Sequence, residues 1–520
     1  MRTALFAGLL LLGCTKTARE DVVHVVLVVD DPGVLSRVDE VDAVMLIIET
    51  SEGERIETSL PAPAGAFADG SSDFDFAYGG WTGHFDLYAS AMVADEGIAF
   101  GEAFENPLEP GELEVELEPA TNLWTSAEAI DAEDGADGID PRVALDFRGV
   151  VTAVWAAGND VVGNGGAFGS GWEGAETIRS GSGATKRPRL ALDGAGNAFL
   201  VWQERDVAES VFGVRRPVDG DWPSPAPELD YDDDEVAVSP DVAVNAGGVA
   251  VVTYLQTWYE KLGLGDGRSV WASFYGGGTF PPGEPLDIGL SDPIVESSVG
   301  VRPDGRAFVV WQATDGGIWW NHYASGEDPE SRPESLVALD ASEDATLPRV
   351  VADASGPVYA AWVSGGTVHV SREADLSWVD LAMPDVGEGT IEALEIAADV
   401  GGVAVAFVRG PEAWAASWDD GWSEVVPLSP SPELDVLPAL TLGSGGNGNL
   451  AVAFVTSYDG SRTLWATERD DADWSPAAAI TNAEEISSPQ LALDAGGDAL
   501  VVWSSRAAGR TRIYASLRGL

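Results

Sequence analysis

Cysteine occurs once in the 520 residues, at Cys14. No disulfide can form within the chain, so its stability has to come from packing and hydrogen bonding. Basic residues are also scarce: 28 Lys and Arg stand against 86 Asp and Glu, a formal net charge of −58. Binding to a phosphate backbone needs a basic stripe and none is visible, which disfavours nucleic acid as a partner. The histidines, His24, His84, His322 and His369, are scattered, and there is no His-Glu-x-x-His or cysteine-containing cluster, so zinc catalysis has no support. Gly-x-Ser-x-Gly is absent too. Helix-like periodicity is rare, and the apolar run from Ala4 to Leu12 is too short to span a bilayer.

What the chain has in abundance is one phrase. Pro141-Arg-Val-Ala-Leu-Asp146, a glycine turn and an apolar strand ending at Trp155 return as Pro188 to Asp193 with Trp202 and as Pro240 to Asn245. Further copies are Ser297 to Arg302 with Trp311, Pro348 to Asp353 with Trp362, a worn one from Leu394 to Phe407, Pro438 to Phe454, and Pro489 to Asp494 with Trp503. The period of about 50 residues matches propeller blades rather than helical solenoids. Within each unit, apolar runs bounded by Gly, Asp, Asn and Pro read as four strands, the second the most apolar and the fourth opening on Trp, as at Trp222, Trp422 and Trp474. Gly443-Ser-Gly445-Gly-Asn-Gly448 matches Gly-x-Gly-x-x-Gly, but it joins two strands and reads as a hairpin turn, not a dinucleotide site.

After Pro489 the chain supplies only three strands. The fourth is found ahead of the first unit, where Leu123 to Ile130 resembles Asp473 to Ile480. An N-terminal strand completing the last blade would close the ring and remove its open edges. The reading is an all-β chain with an eight-bladed β-propeller over 121–520, seven being the fallback if the copy near Leu394 forms no blade. Residues 21–120 lack the repeat and show period-two alternation at 22–29, 43–48, 84–91 and 113–117, which argues a small β-sandwich, immunoglobulin-like or transthyretin-like.

Met1-Arg2 and the apolar stretch after it read as a signal peptide, and Leu11-Leu12-Gly13-Cys14 resembles a bacterial lipobox. The resemblance implies lipidation of Cys14, with residues 1–20 as signal and tether, and an exported protein anchored to the cell envelope, the outer membrane being the expected one.

The acids gather between the fourth strand of one unit and the first of the next: Asp131 to Asp140, Asp230 to Glu235, Asp340 to Asp344, and Glu484 with Glu485. In a propeller these connections share one face, so an acidic rim is expected. Asp230, Asp232 and Asp234 alternate as in the start of a calcium loop, the cation they could hold, although Glu235 stands where such loops need Gly. No other cofactor is implied. The long connection from Gln256 to Arg268 carries Trp258 and Tyr259, and Trp319-Trp320 is the one doubled tryptophan. Trp258, Tyr259 and Trp320 are therefore the candidates for stacking on a ligand.

Ser417-Trp-Asp419-Asp-Gly421-Trp422 and Ser371 to Trp378 resemble a degraded Asp-box, the turn of sialidase-type (BNR-repeat) propellers. In that family the turn is structural, and catalysis uses an arginine triad, a Tyr–Glu pair and an acidic residue. Arg142, Arg189 and Arg349 recur in phase, which reads as a scaffold position rather than a converging triad. The expectation is a non-catalytic binding or scaffold propeller for a glycan or protein ligand. The alternative is a glycoside hydrolase-like or other hydrolytic site in the channel.

Overall fold

The computed structural model describes residues 124–520 apart from loops at 231–235, 258–266, 288–292, 325–336 and 385–388 and gaps of one or two residues; before 124 it describes the strands alone. The chain divides into two compact units, 1–123 and 124–520, close to the expected boundary. In the first unit Ser71–Ala77, Val22–Val28 and Gly111–Glu116 form one sheet, the last two pairing in parallel. Arg55–Pro61, Ala43–Thr50, His84–Val93, Glu96–Pro107 and Glu118–Pro119 form another. The side chains that would pack these two sheets into the expected sandwich lie outside the described residues, as do the signal segment and Cys14.

The second unit is an eight-bladed β-propeller. Its innermost strands are Gly138–Leu145, Ala184–Leu192, Ala237–Val244, Ile294–Val301, Thr346–Ala352, Ile391–Asp399, Asp435–Ser444 and Ile486–Leu493, and they head blades 1 to 8 in that order. Each lies against the next, and the eighth against the first, so the ring is closed around an axis. The worn copy forms blade 6 in full, which removes the seven-bladed fallback. The expected fourth strands are shorter than the sequence suggests. Blade 3 keeps Glu284–Pro285, and blade 2 has only an isolated bridge between Phe212 and Glu228.

The phrase can now be read as physical chemistry. Its terminal Asp accepts the amide protons of the turn that follows: Asp146 Oδ1 from Arg148 and Val150 at 2.9 Å each, and Asp193 Oδ1 from Ala195 and Asn197 at 2.9 Å each. Gly149 closes the first turn, its N–H donating to Asp146 O at 2.9 Å with φ at 74°, a left-handed conformation that costs glycine little. The proline marks a bulge. In blades 1, 2, 3, 5 and 8 the residue before it (Asp140, Arg187, Ser239, Leu347, Ser488) has φ between 50° and 55°, and the strand register shifts there. Proline has no N–H to lose from the ladder, so it suits that point.

Each second strand carries a buried aromatic at the same place, Trp155, Trp202, Tyr254, Trp311, Trp362, Phe407, Phe454 and Trp503, and blades 2, 4 and 5 add Phe199, Phe308 and Tyr359. Eight apolar clusters result, one between each pair of adjacent blades. Burying each such ring contributes roughly 1.5–3 kcal/mol, which compensates for the missing disulfides. The seam between blades 8 and 1 is built the same way, with Ile130, Val151 and Trp155 packed against Leu500, Val502 and Ile513.

That seam is sealed from the N-terminal side, as expected. Glu128–Ala129 pairs with Tyr514 and Ala515, and Ile130 N donates to Ile513 O at 2.9 Å. Asp131, its side chain 4% exposed, is clamped by Arg510 and by Arg512 at 2.9 Å. Asp131 therefore belongs to the closure and not to an acidic rim, and Asp137 joins it by accepting the Thr511 amide at 2.9 Å.

Candidate functional site

Just past the bulge, the innermost strands of seven blades place a side chain at one in-phase position. The positions that pair with the residue just before the second-strand aromatic are Arg142, Arg189, Asp241, Ser298, Arg349, Glu395 and Gln490, in blades 1 to 6 and 8. Part of their work is local. Arg142, Arg189, Arg349 and Gln490 each donate to the carbonyl of the preceding proline, at 2.7, 3.0, 3.0 and 2.7 Å, which satisfies an acceptor that the bulge removes from the ladder.

The rest of each side chain is available to the channel, where Glu395 and Asp241 act on all three arginines. Arg142 and Arg189 are close enough to repel one another, and Glu395, from blade 6, acts on both. Arg349 has its own counter-ions: Nη1 lies 2.5 Å from Glu296 and Nε 3.6 Å from Glu395. Arg142 and Arg189 have none within 4 Å among the described residues; Asp140, Asp241 and Glu395 act on them at longer range. All five axial groups are half-buried, reached by channel water while surrounded by protein.

Burial, then repulsion from Arg189, pushes the Arg142 guanidinium down to about 9. Arg189 is lowered by burial, with Asp241 opposing. Arg349 loses to burial but is held above its ordinary value by Glu395 and Glu296. Burial raises Asp241 against the pull of Arg189 and the amides of Val242 and Val299, and raises Glu395 against Arg349 and Arg142. The result is two guanidiniums short of a counter-ion beside two carboxyls biased toward holding a proton. The first pair can receive a planar anion by bidentate hydrogen bonds, and the second can serve as general acids.

The scaffold reading of these arginines fits their bonds to the proline carbonyls, and the structure adds that Arg142 and Arg189 also act on one another, because in a closed ring in-phase positions on the innermost strands point at one axis. That phase, combined with the predicted closure, was the signal that could have found the site.

The other candidates fall elsewhere. Trp320 is 5% exposed, stacked on Phe308 and packed edge-on by Trp378, so it belongs to the core between blades 4 and 5 rather than to a ligand platform. Asp230 turns inward, accepts the Val211 amide at 2.9 Å and is pushed up to about 7, chiefly by burial, which makes it a poor calcium ligand. Asp232, Asp234, Trp258 and Tyr259 lie outside the described residues. Among the described residues no group of three metal-ligating side chains occurs. The Gly443–Gly448 segment is a hairpin turn, Gly445 N donating to Asn449 O at 3.0 Å.

No family model matches the chain, and no curated protein matches it. Among solved structures it is similar to a Dyadobacter fermentans protein of unknown function, at 12% identity and TM-score 0.40, over 77% of this chain and 100% of the other. It is also similar to the NanB sialidase of Streptococcus pneumoniae (10%, TM-score 0.35, 92% and 95% covered) and to a PL25 ulvan lyase (10%, TM-score 0.39, 75% and 95% covered). What is shared is propeller architecture. The expectation of a non-catalytic chain is nevertheless corrected. The solved structures it is similar to include a sialidase, an arabinanase and a lyase, and the axial cluster supplies the close-set charged groups whose lack had grounded that expectation.

Proposed function

We propose that the channel mouth binds an acidic saccharide and acts on it by acid–base chemistry. The observation that carries this reading is the pair Arg142 and Arg189, drawn together without a counter-ion within 4 Å among the described residues, beside Asp241 and Glu395. Two adjacent, half-buried cations are costly unless something negative sits between them, and a sugar carboxylate has the planar fork that guanidiniums match. Asp241 and Glu395, whose hold on a proton burial strengthens, would protonate a glycosidic oxygen, while Glu296 beside Arg349 completes an acid–base set. Lipidation at Cys14 would place this chemistry at the cell envelope, so Cys14→Ser should release the protein from membranes.

The test is a panel of uronic, sialylated, sulfated and neutral oligosaccharides, scored for binding by calorimetry and for new reducing ends. Arg142→Ala and Arg189→Ala should each weaken acidic ligands by about tenfold or more, whereas Asp241→Asn and Glu395→Gln should retain binding and lose product release. Acidic ligands bound equally well by both arginine variants would remove the proposal.

A further inference from the structure

Beside the channel mouth, at the seam where blade 8 meets blade 1, the surface opens into a cavity of about 260 Å³. Its walls come from both sides of the seam: Ile139 and Asp140 from the innermost strand of blade 1, Ser487 and Ser488 from that of blade 8, and Ser504 and Thr511 from the strands behind it, with the exposed Glu485–Arg506 ion pair, 3.5 Å apart, completing the lining. No aromatic ring lines it, so flat stacking is not its mode of recognition.

Hydroxyls dominate, and they divide into two sets. Ser504 Oγ donates to Ser487 O at 3.1 Å and lies 2.9 Å from Ser487 Oγ, so those two hold the wall together. The Ser488 and Thr511 hydroxyls take no partner among the described residues, although both side chains are half-buried against the cavity. Ile139, 39% exposed, supplies an apolar lip. Free hydroxyls, the Asp140 carboxylate, an Arg506 whose charge Glu485 already pairs, and a small apolar edge in a volume just under the roughly 300 Å³ of the smallest ligand sites suit one sugar ring.

Asp140 ties this cavity to the channel. It lines the wall, and its carboxylate also acts on both Arg142 and Arg189. A sugar whose carboxylate rested on those arginines would have its neighbour in the chain within reach of the seam. We infer that the seam cavity is a second subsite, taking the neutral, hydroxyl-rich sugar next to the acidic one, so that the ligand is an oligosaccharide and not an acidic monosaccharide. The inference rests on the acidic-saccharide reading of the channel.

The experiment uses the whole chain and two matched probe pairs: glucuronic acid with glucuronosyl-galactose, and N-acetylneuraminic acid with sialyllactose. In at least one pair the longer probe should bind the wild type about tenfold tighter than its monosaccharide. Ser487→Phe and Thr511→Trp, which fill the cavity from different strands, should each erase that gain and leave monosaccharide affinity unchanged, while Arg142→Ala weakens both members. An equal affinity within both pairs, or a gain that survives both filling variants, overturns the subsite and leaves the channel reading standing. If the wild type binds none of the four probes, the subsite falls together with the acidic-saccharide reading on which it rests.

Discussion

The two ends of the repeated phrase lie four residues apart on one strand and behave in opposite ways around the ring. At the hairpin end Asp146, Asp193, Asn245, Asp353 and Asp494 do one job, accepting the amides of the turn that follows. At the bulge end the corresponding residues are Arg142, Arg189, Asp241, Ser298, Arg349, Glu395 and Gln490, with charge of either sign or none. The hairpin problem is local and identical in every blade, so one chemical answer recurs. At the axis the side chains of different blades meet one another, and a single residue type in all of them would be either a ring of like charge or an inert tube. Near-constancy between repeats marks what the blade needs; variation marks what the assembled ring can use.

That contrast can be broken by substitution, and the largest effect should come from a carboxylate that serves closure. Asp131→Ala leaves Arg510 and Arg512 without their shared buried partner and should cost about 3–5 kcal/mol. Denaturant titration checks it, and a loss under about 1 kcal/mol would show that the seam depends on apolar packing alone. Next comes the hairpin end. Asp193→Ala strips the Ala195 and Asn197 amides and the Asn197 side chain of their acceptor, for about 1–3 kcal/mol. The smallest effect on stability belongs to the axis: Arg142→Gln should keep the bond to Pro141 O and be at least as stable as the wild type at pH 7 while losing acidic-saccharide affinity.

The pH dependence sharpens the last point. Arg142 is held near 9 in the fold, well below a free side chain, so over the interval between them the unfolded chain retains a proton that the folded chain has released. Wild-type stability relative to Arg142→Gln should therefore rise as pH climbs through about 9, and anion binding should fade over the same interval as the guanidinium neutralises. Melting curves of the two proteins from pH 7 to 10 measure the first effect. A difference that stays flat would mean that Arg142 carries its proton without penalty.

Much of this molecule was legible without coordinates. Eight copies of a phrase with Gly and Asp at its turn, and a stray fourth strand at Leu123 to Ile130, sufficed for the blade count and the closure, because turn chemistry, strand alternation and repeat period are local signals. The destinations of individual side chains were not legible. Trp320 looked available because it was doubled, yet strand alternation turns it into the blade interface. Asp131 and Asp230 counted as surface acids in composition, and both face inward to Arg512 and to the Val211 amide.

The sequence by itself determined the propeller, its eight blades and the strand that closes it. Only the tertiary structure decided that Arg142, Arg189, Asp241, Arg349 and Glu395, drawn from five blades and spread over some 250 residues of chain, face one another. Period and polarity specify which side of a strand a residue occupies, but distance to a common axis exists only once the ring has closed.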